Sequence, residues 1–277
     1  MEQIDFRGLT PLYQRNNSLL ESPAWDSFNQ LIWFVSIDEF EIYGINLQGI
    51  LEKRIKVNSE VSLVIPHDVD QVIYAEADGI FLFNHRANQS KLLSKPKLLP
   101  GFRFNDGIRD NEGNILIGTK KIIDDESVGL SVLLFVGKDG TVRELLNNLT
   151  IPNGMAFSSD QSYLYFCESV ARTITRYNYN RGKLTAHKEI IKFDSSQYPD
   201  GVSMASNGIL WVALWGAGTV RGLHLGEDKD DIQLVFDQKY VTSCCQFELG
   251  GEQFLIITSA GKKHPQKGVA NVYLVKV

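Results

Sequence analysis

Four oxygen-bearing side chains, those of Glu21, Asn105, Asn153 and Asp200, each stand at the head of a predicted strand segment. Asn153 and Asp200 occupy matching contexts, Pro-Asn-Gly and Pro-Asp-Gly. Carboxylate and amide oxygens are the ligands that hard divalent cations such as Ca²⁺, Mg²⁺ or Mn²⁺ prefer. The residue types therefore indicate a metal site if the fold brings these positions together. A structural interpretation of Asn153 and Asp200 stays open, because Asn-Gly and Asp-Gly are also common turn dipeptides.

Other familiar kinds of site are not indicated. The sequence has no Cys-x-x-Cys, no His-Glu-x-x-His and no phosphate-binding loop. Its five histidines form no pair with ligand spacing, which argues against a His-rich zinc site. Residues 201–205 resemble a nucleophile elbow but lack the final glycine, so we do not expect Ser203 to be a nucleophile. Cys244 and Cys245 are interpreted as buried thiols rather than a redox pair, because adjacent strand residues point to opposite faces.

A recurring pattern could position the four polar residues. A polar or Gly/Pro-containing segment leads into an apolar strand, then a tight turn, then a second strand rich in β-formers. The second strands start roughly 40–50 residues apart, which is the period of four-stranded propeller blades. The length of 277 residues then gives about six such units. The six copies begin near Glu21, Pro66, Asn105, Pro152, Pro199 and Thr242.

We therefore predict an all-β fold, a closed six-bladed β-propeller, with residues 1–277 forming a single domain. Helical periodicity is nearly absent from the sequence. Residues 1–20 are expected to supply the strand that closes the last blade, which removes exposed strand edges. A two-sheet sandwich is the alternative, but it would not explain the long and even period. In a propeller, the four polar residues would begin inner strands and point towards the central channel on one face.

Composition and charge narrow the expected partners. The chain carries 28 Lys and Arg against 33 Asp and Glu, and it has no long basic run, so we expect no nucleic-acid partner. No apolar stretch approaches the roughly 20 residues needed to cross a bilayer, and the N-terminal residues lack a secretory pattern. Three cysteines, an odd number, fit a reducing compartment. These features favour a cytoplasmic monomer or small homo-oligomer without a membrane partner.

The motifs resemble those of the SMP-30/gluconolactonase/regucalcin family of six-bladed, metal-dependent sugar lactonases. The resemblance implies that Glu21, Asn153 and Asp200 hold one divalent metal ion, and that Arg103 and Asn105 contact a bound sugar lactone. We expect Ca²⁺ first, with Zn²⁺, Mg²⁺ or Mn²⁺ as alternatives. The matching segments span nearly the whole chain in order: residues 21–26, 103–107, 110–113, 118–119, 151–160, 198–202, 210–216 and 242–245.

One loop departs from that pattern. The regucalcin-like branch often has Met and then acidic residues after Gly-Thr, some of which touch substrate. Here Lys120 and Lys121 follow Gly-Thr instead, and the acidic residues come slightly later, at positions 124–126. Glu168 also stands where the family more often has Asp. We therefore expect an intact metal set and an altered specificity loop.

The function expected on this basis is the hydrolysis of sugar (aldono-) lactones to sugar acids by a gluconolactonase-like enzyme. A divalent cation can polarise the lactone carbonyl and stabilise the oxyanion that forms. Asp200 is the expected base that activates water, with a metal-bound hydroxide as the alternative. Arg103 and Asn105 would orient the sugar ring. Two other classes stay open: a calcium-binding protein without turnover, and a propeller that serves as an interaction platform.

Overall fold

The computed structural model describes residues 1–77, 79–122, 129–226, 230–263 and 266–277, and all regular structure in that part of the chain is β. No helix among these residues could span a membrane. The strands are, in chain order, β1 (Glu2–Asp5), β2 (Tyr13–Asn16), β3 (Leu20–Asp26), β4 (Leu31–Ser36), β5 (Glu41–Ile45), β6 (Leu51–Lys56), β7 (Val61–Asp68), β8 (Gln71–Glu76), β9 (Gly79–Asn84), β10 (Gln89–Ser94), β11 (Phe102–Arg109), β12 (Ile115–Lys121), β13 (Ser131–Val136), β14 (Val142–Leu149), β15 (Pro152–Phe157), β16 (Tyr163–Glu168), β17 (Thr173–Asn180), β18 (Lys183–Lys192), β19 (Tyr198–Met204), β20 (Ile209–Trp215), β21 (Thr219–His224), β22 (Ile232–Val235), β23 (Val241–Leu249), β24 (Glu252–Ser259), β25 (Lys262–Lys263), β26 (Gln266–Lys267) and β27 (Val269–Lys276).

Six sheets form the blades of a β-propeller, as the sequence predicts. Blades 1 to 4 are the sheets β3–β6, β7–β10, β11–β14 and β15–β18. Blade 5 consists of β19–β22 with β1 added, and blade 6 consists of β23, β24 and β27 with β2 added. The first strand of each blade contacts the first strand of the next, and β23 contacts β3. These six inner strands therefore form a closed ring around a central channel.

The N-terminal segment fastens two blades. Strand β2 pairs antiparallel with β27, with Tyr13 opposite Val272, which confirms that residues 1–20 close the last blade. Strand β1 pairs in parallel with β22 of the preceding blade, with Ile4 opposite Leu234, which the sequence did not indicate. Both additions cover strand edges that would otherwise be open to other chains.

The core lies between the blades rather than in one centre. Six apolar clusters are present, and each one is formed by side chains from two neighbouring blades. In β4, for example, Trp33 faces blade 2 while Phe34 faces blade 6, and both are fully buried. A strand buried on both faces needs apolar residues without alternation. This explains the continuous apolar runs that mark the second strand of each repeat.

Every inner strand carries one extra residue close to its start. The pairing with the second strand shifts by one residue in β3, β7, β11, β15, β19 and β23. Such β-bulges bend a strand and change the direction of its side chains. The shifts lie between Glu21 and Ala24, Val61 and Leu63, Phe104 and Gly107, Pro152 and Met155, Pro199 and Val202, and Val241 and Ser243. Asn105, Asn153 and Asp200 therefore lie in bulges, and Glu21 directly precedes one, at one end of the channel, which we call the mouth.

The Pro-Asn-Gly and Pro-Asp-Gly segments are not turns. They lie within β15 and β19, and neither Gly154 nor Gly201 has a positive φ. A Cβ atom on Gly154 would instead overlap the carbonyl oxygen of Asp200, and one on Gly201 would overlap the side chain of Ser243. The turn interpretation is thus wrong, because these glycines allow the backbones of neighbouring inner strands to approach closely.

Replacing Gly201 by alanine should destabilise the protein, since the added methyl group would collide with the inner strand of blade 6. Overpacking costs about 1–3 kcal/mol of unfolding free energy. We expect the upper end of that range, because Ser243 Cα, a backbone atom, lies only 2.7 Å from the added carbon. Urea denaturation of the two proteins measures the difference.

The matched control is the same substitution in a Ser243→Gly background. Part of the obstruction is absent there, so Gly201→Ala should cost less than in the wild-type background. Equal costs in both backgrounds, or no cost in either, would contradict the close approach of β19 and β23.

Candidate functional site

Asn153 and Asp200 are in direct contact. The Asn153 Nδ2 atom donates a hydrogen bond to Asp200 Oδ1, and the two residues are only 8% and 7% exposed. Glu21 is partly buried and lies close enough for the charge of Asp200 to act on its carboxyl group. The structure thus brings together three side chains that lie on blades 1, 4 and 5 and are far apart in the sequence.

Ser169 fixes the orientation of the Asn153 amide. The Ser169 hydroxyl donates to the carbonyl oxygen of Pro199 at 2.7 Å, so its oxygen is left to accept a hydrogen bond from Asn153 Nδ2 at 3.1 Å. Both hydrogens of Nδ2 are then used, one on Ser169 and one on Asp200. Among the described residues nothing donates to Asn153 Oδ1, so this oxygen could serve as a metal ligand. Sequence reasoning missed Ser169, because a serine in a connection between strands carries no distinctive pattern.

Glu21 is positioned differently from the other two. Asn153 and Asp200 lie inside their bulges and are unpaired, whereas Glu21 is itself the last paired residue before its bulge. The next residue, Ser22, has a φ of 52°, in the left-handed region, and its hydroxyl accepts a hydrogen bond from the Val64 amide at 3.0 Å. The unusual backbone at Ser22 is therefore held by blade 2, and it sets the position of Glu21.

Asp106 is a further carboxylate that the sequence reasoning did not select. Its Oδ1 accepts a hydrogen bond from the Gly107 amide at 2.7 Å, and burial raises its pKa from 3.8 to about 6. Burial also raises the pKa values of Glu21 and Asp200 well above their usual range. The repulsion of Asp106 adds to both shifts, and that of Asp200 adds to the shift of Glu21. The mouth therefore holds an excess of carboxyl groups, which are costly to charge together.

Arg103 and Asn105 line the same mouth in blade 3. Arg103 Nη1 donates to the Phe104 carbonyl oxygen at 2.7 Å and to Asn105 Oδ1 at 3.2 Å. Asn105 Nδ2 donates to the Pro152 carbonyl oxygen at 3.0 Å, which places its amide next to the residue before Asn153. Arg103 is 8% exposed. Both side chains are thus held in fixed positions beside the carboxylates.

Lys120 brings a positive charge to this group. It lies opposite Arg103 in the β11–β12 ladder, and its charge lowers the pKa of Asp200 against the larger effect of burial. The altered loop expected after Gly-Thr therefore begins inside the site. Its acidic residues, at positions 124–126, lie outside the described residues.

Two other residues noted in the sequence have structural roles. Glu168 Oε1 accepts hydrogen bonds from the amides of Thr150 and Ile151 at 3.0 and 2.6 Å, and its Oε2 accepts one from Ala171. It therefore holds the chain at the start of β15. Ser203 Oγ accepts a hydrogen bond from the amide of Gln246 at 2.9 Å.

The channel continues beyond the mouth as a cavity of about 250 Å³. Residues of all six inner strands line it, among them Asp106, Ser203, Cys244 and Cys245. All three cysteines are free thiols. Burial raises the pKa values of Cys244 and Cys245, the latter to about 11, so neither thiol is prepared for nucleophilic or redox chemistry.

The donor set at the mouth fits a hard divalent cation. Two carboxylates and one oriented amide oxygen are the ligand types that such ions take from proteins. No three His, Cys, Asp or Glu side chains of the described residues form a metal-binding group. An ion here would therefore depend on the Asn153 amide in addition to Glu21 and Asp200. Its charge would offset the repulsion that raises the pKa values of both carboxylates.

Comparison with known proteins shows the family of the chain. A family model described as SMP-30/Gluconolactonase/LRE-like region matches residues 19–261. The chain belongs to this family. This SMP-30/gluconolactonase/LRE-like protein is 26% identical over 206 residues to the pentonolactonase of Haloferax volcanii, covering 72% of this chain and 68% of that protein. It is 25% identical over 255 residues to regucalcin of Danio rerio, covering 89% and 84%.

A solved structure shares the fold. The calcium-binding protein regucalcin from Agrobacterium tumefaciens superimposes with a TM-score of 0.88 at 24% identity, covering 100% of this chain and 96% of that one. At this identity the likeness shows the six-bladed fold of the SMP-30/gluconolactonase/LRE-like protein.

Replacing Asp106 by asparagine should stabilise the metal-free protein, and the gain should grow with pH. The carboxyl group binds its proton more tightly in the folded protein, where its pKa is about 6, than at its ordinary value of 3.8. Its charge therefore destabilises the fold increasingly as the pH rises from about 4 to 6, and fully above that. With partial solvent screening, we expect Asp106→Asn to raise the free energy of unfolding by about 1–2 kcal/mol near pH 8 and to leave it almost unchanged near pH 4.

Urea denaturation in the presence of a chelator, at both pH values, measures this effect. Asp194→Asn is the matched control, because Asp194 is exposed ahead of β19 and should show no such trend. A loss of stability in Asp106→Asn at the higher pH would contradict the cost of charging these carboxyl groups together.

Proposed function

We propose that this protein is a divalent-metal-dependent hydrolase that opens lactones, with sugar (aldono-) lactones as the first substrate class. The observation that carries the proposal is the convergence of Glu21, Asn153 and Asp200 at the mouth of the channel. Glu21, Asp200 and the Oδ1 atom of Asn153 would hold the ion. When bound, the ion supplies a positive charge that polarises a carbonyl group and stabilises an oxyanion.

Asp200 is the proposed general base. Its Oδ1 accepts the hydrogen bond from Asn153, so Oδ2 is the oxygen left to take a proton from water. Burial raises its pKa because it disfavours the charged form, and this favours the uptake of a proton by the carboxylate. The bulge in β19 and the Asn153 amide hold the side chain in place, so little reorganisation is needed when water is deprotonated.

Arg103 and Asn105 are proposed to orient the lactone. A guanidinium group carries five N–H donors and a side-chain amide two, so these residue types can donate to ring or hydroxyl oxygens of a lactone. Their mutual hydrogen bond and the bond from Asn105 to blade 4 hold these donors in a fixed geometry. Fixed donors favour one orientation of the ring over others, which brings the reacting carbon towards Asp200.

The relatives support the same reaction class. The Haloferax volcanii protein is named a pentonolactonase, which makes a lactone the natural first substrate to test. The Danio rerio and Agrobacterium tumefaciens proteins are named regucalcin, and the latter is described as calcium-binding. Calcium is therefore the first ion to test, followed by Zn²⁺, Mg²⁺ and Mn²⁺.

The test of the function is acid release from a panel of aldonolactones. We expect hydrolysis that stops when a chelator is added and returns when one of the divalent ions is restored. Titration in a pH-stat measures the acid that is released. Metal binding without acid release from any lactone would instead support a calcium-binding protein without turnover. If neither binding nor turnover is found, the channel is unused, as in an interaction platform.

Replacing Asp200 by asparagine should reduce turnover by about 10²–10⁴-fold, which is the usual contribution of general acid–base catalysis. The measurement is kcat at a saturating concentration of the restored ion, and calorimetry reports separately whether the ion still binds. Asp194→Asn, an exposed carboxylate of the same blade, is expected to leave kcat unchanged. Turnover near the wild-type rate in Asp200→Asn would remove Asp200 from the role of base.

A further inference from the structure

The mouth of the channel has two chemically different halves. On the side of blade 3, Arg103 and Lys120 bring positive charge to the site. On the side of blades 4 to 6, the side chains next to the bulges are apolar or aromatic. We call this second set the apolar wall: Ile151, Val170, Tyr198, Trp215 and Tyr240.

The aromatic part of the wall lies beside Asp200. Tyr198 precedes Asp200 by two residues in β19 and lies opposite Trp215 in the ladder with β20. Residues paired directly across strands place their side chains on the same face. Trp215 in turn pairs with Tyr240 of blade 6, and the two rings lie 4.8 Å apart. The three aromatic residues therefore follow one another from blade 5 to blade 6 at the level of the site.

The aliphatic part of the wall lies beside Asn153. Ile151 precedes Asn153 by two residues, and Val170 follows Ser169, the serine that orients the Asn153 amide. Val170 and Tyr198 are each 38% exposed, although apolar side chains of this size usually pack inside a protein. Neither Ile151 nor Val170 can form a hydrogen bond with a sugar hydroxyl group. Val170 and Tyr198 are the exposed members of the wall, and exposed apolar surface beside a polar site is typical of a surface that a ligand covers.

We propose that this wall binds an apolar substituent on the lactone ring, so that the site hydrolyses alkyl-substituted lactones in addition to sugar lactones. This inference rests on the proposed function. With the carbonyl group held at Glu21, Asn153 and Asp200, a substituent directed towards blades 4 to 6 covers Tyr198 and its neighbours. A substituent directed towards blade 3 meets Arg103 and Lys120. The two halves thus separate the apolar side of the substrate from its polar side.

The experiment compares five-membered lactones that carry 4-alkyl chains of increasing length with ribono-1,4-lactone, a polyhydroxylated lactone of the same ring size. The protein is supplied with the divalent ion that supports turnover. Burial of each methylene group predicts an increase in kcat/KM of about two- to fourfold until the wall is covered. The slope of log kcat/KM against chain length should fall strongly in Tyr198→Ser. It should persist in Tyr198→Phe, which keeps the ring.

Phe28→Ser is the matched control. Phe28 is 61% exposed, in the turn after β3 at the opposite end of the channel, so its loss should leave the slope unchanged. A cooperative thermal unfolding transition in each variant shows that the variant is folded. The readout is the dependence on chain length, which a merely structural role of Tyr198 would not alter.

The outcomes separate this inference from the function on which it rests. If the protein hydrolyses ribonolactone but kcat/KM does not rise with the length of the alkyl chain, the inference is overturned and the lactonase function stays intact. A lack of turnover on every lactone would overturn both. If Tyr198→Ser left the slope unchanged and converted a dimer to a monomer, the wall would be a contact between two copies of the chain, which also overturns the inference.

Discussion

The close approach of the six inner strands is the constraint on which the rest of the structure depends. Blades pack against one another through their inner ends, so the channel is only as wide as the side chains that line it allow. At Gly154 the backbone of Asp200, and at Gly201 the side chain and Cα of Ser243, occupy the space that a Cβ atom would need. The same approach of β15 and β19 puts Asp200 within reach of the Asn153 side chain. The two glycines and the contact between Asn153 and Asp200 are therefore consequences of one packing requirement.

That packing also brings several carboxyl groups together at a buried site, where they are costly to charge. Glu21, Asp106 and Asp200 are gathered where water is scarce, so Asp106 raises the free energy of charging the other two, and Asp200 raises that of charging Glu21. Arg103 and Lys120 lie close by but do not bring the pKa values of Glu21 and Asp200 back to their usual range. A divalent cation between the carboxylates would relieve the repulsion, and this chemistry is independent of which lactone is bound. Such an ion and the fold would in this sense be coupled, because the bulges that carry Asn153 and Asp200 are part of the blade geometry.

The sequence predicts the architecture well and the interior of the site less well. The blades could be predicted because their second strands are buried on both faces, which produces apolar runs such as that of β4. The pairing of β1 with β22 could not, since Glu2–Asp5 is a short polar strand held mainly by backbone hydrogen bonds. Asp106 was missed because alternation would place it and Asn105 on opposite faces, and only the bulge lets Asp106 line the channel. The roles of Glu21, Arg103, Asn105, Asn153 and Asp200 stay predictions, although their proximity at the mouth is a property of the structure.

The way in which the N-terminal strands join the last two blades has a consequence for synthesis on the ribosome. Tyr13–Asn16 leaves the ribosome long before its partner, Val269–Lys276, because the two strands are far apart in the chain. The ring therefore cannot close until Val269–Lys276 has been synthesised, and until then Glu21 has no fixed distance from Asp200. Contacts between segments so far apart in the chain form slowly. A nascent chain would consequently acquire the geometry of the mouth in a single late step rather than blade by blade.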